Sequence, residues 1–162
     1  MAKRVCIRKG DIFCVKIEDL YKVFFQYVTN DIENLNSAVI RVFKKRYSLS
    51  EDPKVDSIVN DEVFFYAHTI LRVGIKCGAW EKVGHIDDVG SLDNIFFRMY
   101  ADGGVSGMTK SYRWYIWKVN TPHVFIGEMK ECYRHYDVGW IYPYIDIVEK
   151  IKSGKFLINE VE

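Results

Sequence analysis

From Val63 onward almost every second residue is apolar: Val63, Phe65, Ala67, Leu71, Val73 and Ile75 fall on one side of an extended chain, with Thr69 as the interruption. A strand with one buried face requires that two-residue period, because successive side chains point to opposite faces. The other side carries Tyr66, His68, Arg72 and Lys76. Lys76, Cys77, Gly78 and Ala79 then supply a turn, Gly78 tolerating the positive φ such turns need, and Trp80 opens a returning run that closes at Ile86. Residues 63–86 are therefore expected to form a long hairpin at the centre of a sheet.

The same period recurs upstream. Residues 11–17 place Phe13, Val15 and Ile17 on one face, and residues 21–28 answer with Tyr21, Val23, Phe25 and Tyr27, so the two runs predict an antiparallel hairpin closed by Glu18 and Asp19. Phe24 falls on the polar face of that pairing. An Asn- and Asp-rich loop at 29–36 leads into a third strand at 37–43, with Ala38, Ile40 and Val42 facing one way. Residues 50–61 read as a linker with a short helix around Val55, Ile58 and Val59. Beyond the central hairpin, 95–100 and 123–129 read as strands, and the glycines of 101–110 read as a hairpin loop that lacks the pattern of a phosphate loop. Residues 112–119 carry large aromatics on both faces, which fits a strand buried on both sides, the preferred reading, or an exposed aromatic platform for a partner. Near the end, Tyr144, Ile147, Val148 and Ile151 follow the helical spacing i, i+3, i+4 and i+7 after Pro143 and before Gly154. Phe156, Leu157 and Ile158 are expected to tie the tail down. The fold class is α+β and mainly β: a twisted, largely antiparallel sheet or open barrel carrying one C-terminal amphipathic helix, in a single domain over 1–162.

Composition narrows the function classes. At 162 residues, 49% hydrophobic and 15% aromatic, the chain can bury one real core. Its 23 basic and 22 acidic residues nearly cancel, which argues against a general attraction to nucleic acid or to an anionic membrane. Lys44, Lys45 and Arg46 form a short cationic cluster, read as a solvated strand end because Glu51 and Asp52 follow and the chain has no basic imbalance to support a nucleic-acid reading. No stretch has the length of a membrane span and no signal peptide is visible, so a cytoplasmic location is expected. Cys6, Cys14, Cys77 and Cys132 lack metal-binding spacing and are expected to be free thiols without disulfides.

Few residues suggest chemistry. His68, Cys77 and His85, or His123, Cys132 and His135, could be drawn as zinc ligands, but neither set has a zinc pattern, and no metal or cofactor is expected. His85 beside Asp87 and Asp88 could form an oriented base, yet no serine or cysteine elbow accompanies it, so no catalytic residue is assigned.

Two blocks carry a resemblance. Gly10, Asp11, Ile12, Phe13, Cys14, Val15, Lys16 and Ile17, followed by residues 21–28 with Gln26, resemble the opening hairpin of the immunity protein twenty-six family of bacterial polymorphic toxin systems. Ile70, Leu71, Arg72, Val73, Gly74 and Ile75, then Gly78, Ala79, Trp80, Glu81, Lys82, Val83 and Gly84, resemble that family's second block. The resemblance spans residues 10–85. It implies a non-enzymatic cytoplasmic protein that binds and neutralises a cognate protein toxin, and leaves the oligomeric state open. The opening Gly10-Asp11-Ile12 is also similar to small β-barrels of the endoribonuclease toxin class, which would imply an RNA-binding or RNA-cleaving module, but such a module needs a cationic groove that the charge balance does not supply. Partner specificity is expected in residues 95–142, where Tyr112, Trp114, Tyr115, Trp117, Trp140 and Tyr142 form a pool of interface-type aromatics.

Overall fold

The computed structural model of the chain describes residues 4–103, 107–156 and 161–162. Three strands appear where the alternation places them: β1 (Asp11–Ile17), β2 (Tyr21–Asp31) and β3 (Ser37–Phe43). β2 runs three residues into the expected loop, past a bulge between Tyr27 and Thr29. The short helix α1 (Val55–Ile58) precedes β4 (Val63–Thr69).

The expected central hairpin is not formed. The chain leaves the sheet after Thr69 and winds into helix α2 (Leu71–Lys76) before strand β5 (Glu81–His85). Leu71, Gly74 and Ile75 fit a helical period as well as Leu71, Val73 and Ile75 fit an extended one, and a short apolar run cannot decide between them. Packing decides. A Cβ on Gly74 would lie 2.0 Å from the Trp80 ring, so glycine lets that ring lie against the helix, and Trp80 Nε1 donates to the Leu71 carbonyl at 3.0 Å. Gly78 does take the positive φ of 73°, but it does so in the turn that ends α2.

The first sheet has six strands in the order β10-β4-β3-β2-β1-β5, so three strands separate the two limbs of the expected hairpin. Its pairings are antiparallel except that β10 (Ile141–Tyr142) lies parallel to β4. The second sheet has four strands, β8 (Val124–Gly127), β7 (Trp114–Lys118), β6 (Phe96–Tyr100) and β9 (Asp137–Val138), in that order. Its β6–β9 contact is parallel and the others antiparallel. The two sheets leave the fold mostly β without a closed barrel among the described residues.

Helix α3 (Tyr144–Ser153) covers one face of the first sheet. Ile147 and Ile151 are buried there against Phe13, Val15, Phe25, Ile40 and Phe65, while Tyr144 and Val148 flank them. Pro143 is its N-cap and Gly154, at φ 79°, its left-handed C-cap. The opposite face is buried too. Ile12, Cys14, Phe24 and Phe43 pack under Ile58 and Tyr47, and Val28 and Val39 meet Ile95, Phe97 and Trp117 of the second sheet's side. This accounts for Phe24: its face is polar at Lys22 and Gln26 but is roofed by α1 and the 44–59 segment. Phe156 ties the tail down by stacking on Tyr142, 3.5 Å between centroids; the expectation for Leu157 and Ile158 falls outside the described residues, as does part of that for the 101–110 loop.

Candidate partner-binding surface and its cavity

The six aromatics of the pool separate into two groups. Trp117 is buried between the sheets, its Nε1 donating to Asp31 at 2.9 Å. Trp114 is buried on the other face of β7 with Met129 and Val161. Tyr142 is buried under the Phe156 ring. Both faces of β7 are therefore covered, and truncating any of these three would remove core. Tyr112 is 62% exposed just before β7; Tyr115 and Trp140 are half-buried. Tyr115 lies 5.2 Å from the ring of Phe125 and 5.1 Å from that of His123.

Two members of this surface escaped the sequence reading. Val124 and Phe125 on β8 are 58% and 57% exposed, and β8 is the outer strand of its sheet. Nothing in the local sequence Val-Phe-Ile-Gly distinguishes it from a buried strand. Tyr115 and Phe125 pair on one face of the sheet and Val124 lies on the other, so with Tyr112 they make an aromatic and apolar strip along both faces of a sheet edge, whose backbone groups have no further strand to pair with among the described residues.

On the other side of the second sheet, Trp114, Trp140 and Tyr142 line one cavity of about 220 Å3. Tyr100 joins them, edge-on to Trp114 at 5.1 Å and to Trp140 at 5.6 Å. Arg98 places its guanidinium 5.5 Å from the Trp114 ring and donates Nε to the Tyr136 carbonyl at 3.0 Å. Lys150 lies over Phe156 at 4.1 Å and 3.8 Å from Asp137. Burial pushes the Asp137 carboxyl above its ordinary value, against the opposing pull of the Tyr66 N–H, Lys150 and Arg98.

Three polar clusters hold the frame. Asp31, at the end of β2, is fully buried; its Oδ2 accepts from Trp117 and from His68 Nε2 at 3.0 Å, and its Oδ1 accepts the Asn120 N–H at 3.0 Å. Burial pushes this carboxyl up, but the bonds from His68, Trp117 and Asn120 prevail and hold it below the usual range. Gln26 directs its amide nitrogen at the carbonyls of Gly10, Ile86 and Asp88, and its Oε1 accepts Arg41 Nε at 2.9 Å. His85 is bracketed by carboxylates, Asp87 on Nε2 at 2.7 Å and Asp11 on Nδ1 at 2.8 Å. The sequence reading names Asp87 correctly; the second carboxylate is Asp11, while Asp88 turns its carbonyl to Gln26 and Arg41. Both ring nitrogens of His85 thus face carboxylates.

His68, His85 and His123 are each hydrogen-bonded elsewhere than in the zinc sets drawn from sequence. No group of three or more metal-ligating side chains comes together among the described residues. Cys6, Cys14, Cys77 and Cys132 are free. Lys44 pairs with Glu62, while Lys45 and Arg46 lie over the rings of Tyr47 and Tyr21, so each cation of the cluster is engaged locally, although Lys44 and Arg46 also line a cavity of about 350 Å3 with Lys152. No helix among the described residues is long and apolar enough to cross a membrane.

No curated protein and no solved structure gives a significant match to the chain. The family model described as Immunity protein 26 matches residues 8–108, more than half of its length. That match takes in the opening hairpin and the α2–Trp80–β5 block, and ends before the aromatic strip begins. The chain belongs to the Immunity protein 26 family.

Proposed function

We propose that this chain is a single-domain, non-enzymatic immunity protein that binds a cognate toxin in the bacterial cytoplasm and neutralises it by occlusion or distortion. Family membership supports the toxin-related role. The observation that carries the binding site is the exposed strip Tyr112, Tyr115, Val124 and Phe125 on the edge of the second sheet. Exposed aromatics beside an open strand edge supply both the large low-entropy contacts of an interface core and backbone groups for a partner strand. The strip lies beyond the matched region, on a surface free to differ while residues 8–108 supply the frame. Trp140 stands at the other side of the same sheet as a further contact. The test is co-expression with the toxin gene that adjoins this one: the wild-type chain restores growth and copurifies with the toxin. Absence of both rescue and complex refutes the reading.

A further inference from the structure

The turn between β7 and β8 is fastened to the end of β2 and to the loop beyond it. Asn120, at a positive φ of 59°, donates its N–H to Asp31 Oδ1 at 3.0 Å and accepts the Ile32 N–H on its own Oδ1 at 2.9 Å. Thr121 folds back on the Lys118 carbonyl through both its N–H and its hydroxyl. Asn34, 7% exposed, completes the clasp: its Nδ2 donates to the Thr121 carbonyl at 2.6 Å, and its Oδ1 lies 3.1 Å from His123 Nδ1.

Those last two contacts decide the state of the imidazole. A carbonyl only accepts, so the Asn34 amide must turn its nitrogen to Thr121 and its oxygen to His123. An amide oxygen only accepts in its turn, so His123 Nδ1 must carry a proton. In the neutral ring this leaves Nε2 as a bare acceptor, and Nε2 has no partner among the described residues. His123 is itself exposed. Its ring stands edge-on to Tyr115, 5.1 Å between centroids, immediately before the exposed Val124 and Phe125. The strip therefore contains one oriented polar group, and its ordering is supplied by the fold before any partner arrives.

Resting on the reading of the chain as a toxin-binding protein, we propose that His123 is a further contact residue of the strip, positioned by Asn34, and that its Nε2 accepts a hydrogen bond from a donor group of the toxin. A partner carboxylate in that place would face a lone pair, so the contact adds a selectivity that the apolar members of the strip lack.

The test has two arms, both on the full chain. In the first, 15N correlation spectra of the histidine rings above neutral pH report which nitrogen is protonated. Wild type shows His123, assigned by its loss in His123→Phe, with Nδ1 protonated and Nε2 bare, and Asn34→Ala releases the ring into a mixture of tautomers. A wild-type ring protonated at Nε2 overturns the proposal. In the second arm the purified toxin domain encoded beside this gene is titrated calorimetrically. His123→Phe keeps an aromatic ring beside Tyr115 but removes the acceptor, and it weakens binding about two- to tenfold, the worth of one hydrogen bond. His123→Gln, whose amide oxygen reaches the place of Nε2, retains more of the affinity. Binding by His123→Phe as tight as wild type, or an equal loss in the Phe and Gln variants, overturns the contact and leaves the immunity reading intact. A wild-type chain that shows the Nδ1 tautomer but does not bind the toxin domain overturns the immunity reading and, with it, the assigned occupant.

Discussion

Asp31→Asn exchanges one oxygen for an NH2 group of nearly the same shape, so its cost isolates what the carboxylate does between the sheets. If the new amide group replaces Oδ2 it faces Trp117 Nε1–H and His68 Nε2, and if it replaces Oδ1 it faces the Asn120 N–H. The imidazole can change tautomer to accommodate it; an indole and a peptide N–H cannot. At least one fully buried donor is left unmade, at about 1–3 kcal/mol, and the remaining bonds lose their charge assistance, roughly half their strength. The expected loss is about 3 kcal/mol, and about 3–5 kcal/mol for Asp31→Ala, which leaves every partner orphaned. For a chain of this size about 3 kcal/mol corresponds to a melting temperature lower by roughly 6–12 °C. Urea denaturation should show a lower midpoint with an unchanged slope. The sign of the pH dependence follows from a native carboxyl held below its ordinary value of 3.8: the stabilisation is present above that value and is lost as pH falls through the depressed native one. Wild type and Asp31→Asn should therefore converge in strong acid. A loss under about 1 kcal/mol at neutral pH, where a satisfied buried donor would have to be replaced by water at no cost, would refute the reasoning.

Gln26→Ala removes the donor to the Gly10, Ile86 and Asp88 carbonyls and the acceptor for Arg41; urea midpoints should report a loss of about 2–3 kcal/mol, with faster amide exchange in residues 86–90. Gln26→Glu should be no better than Ala, because it keeps the Arg41 contact but turns a carboxylate toward three carbonyls. His85 is held above its ordinary 6.5 by the Asp87 bond and then the Asp11 bond, so its contribution is complete below 6.5 and fades as pH rises through the raised native value. Thermal scans across that window should show a decline that His85→Gln flattens. Gly74→Ala puts a methyl 2.0 Å from the Trp80 ring and should cost about 1–3 kcal/mol through displacement of that ring, seen as a lower urea midpoint and altered tryptophan fluorescence.

The elements legible in the sequence are those whose local pattern agrees with their packing. β1 and β3 are apolar on both faces and bounded by charge, glycine or asparagine, and α3 couples a clean helical stripe to Pro143 and Gly154. Residues 70–76 defeat the same method because their apolar positions satisfy both periods, and the choice is made by Trp80, which needs the bare backbone of Gly74. Phe24 looks misplaced only while its face is taken as solvated; the roof over it comes from residues 44–59, whose docking no local pattern records. The candidate surface is half-legible for a related reason. Trp114 and Trp117 point to opposite faces of β7, and burial of both depends on covers that come from other parts of the chain. Val124 and Phe125 are exposed because β8 lies at the outside of its sheet, a fact of strand order.

The central claim is that the strip on the second sheet holds the toxin. Calorimetric titration of the purified toxin domain encoded beside this gene into wild type, Tyr112→Ala and Phe125→Ala tests it directly, since both side chains are largely exposed and their loss should leave the urea midpoint within about 0.5 kcal/mol of wild type. The account predicts a tight wild-type complex that at least one variant weakens by about 2 kcal/mol or more, roughly thirtyfold in Kd. A wild-type chain that does not bind the toxin domain, or folded variants that both bind it as tightly as wild type, would contradict it.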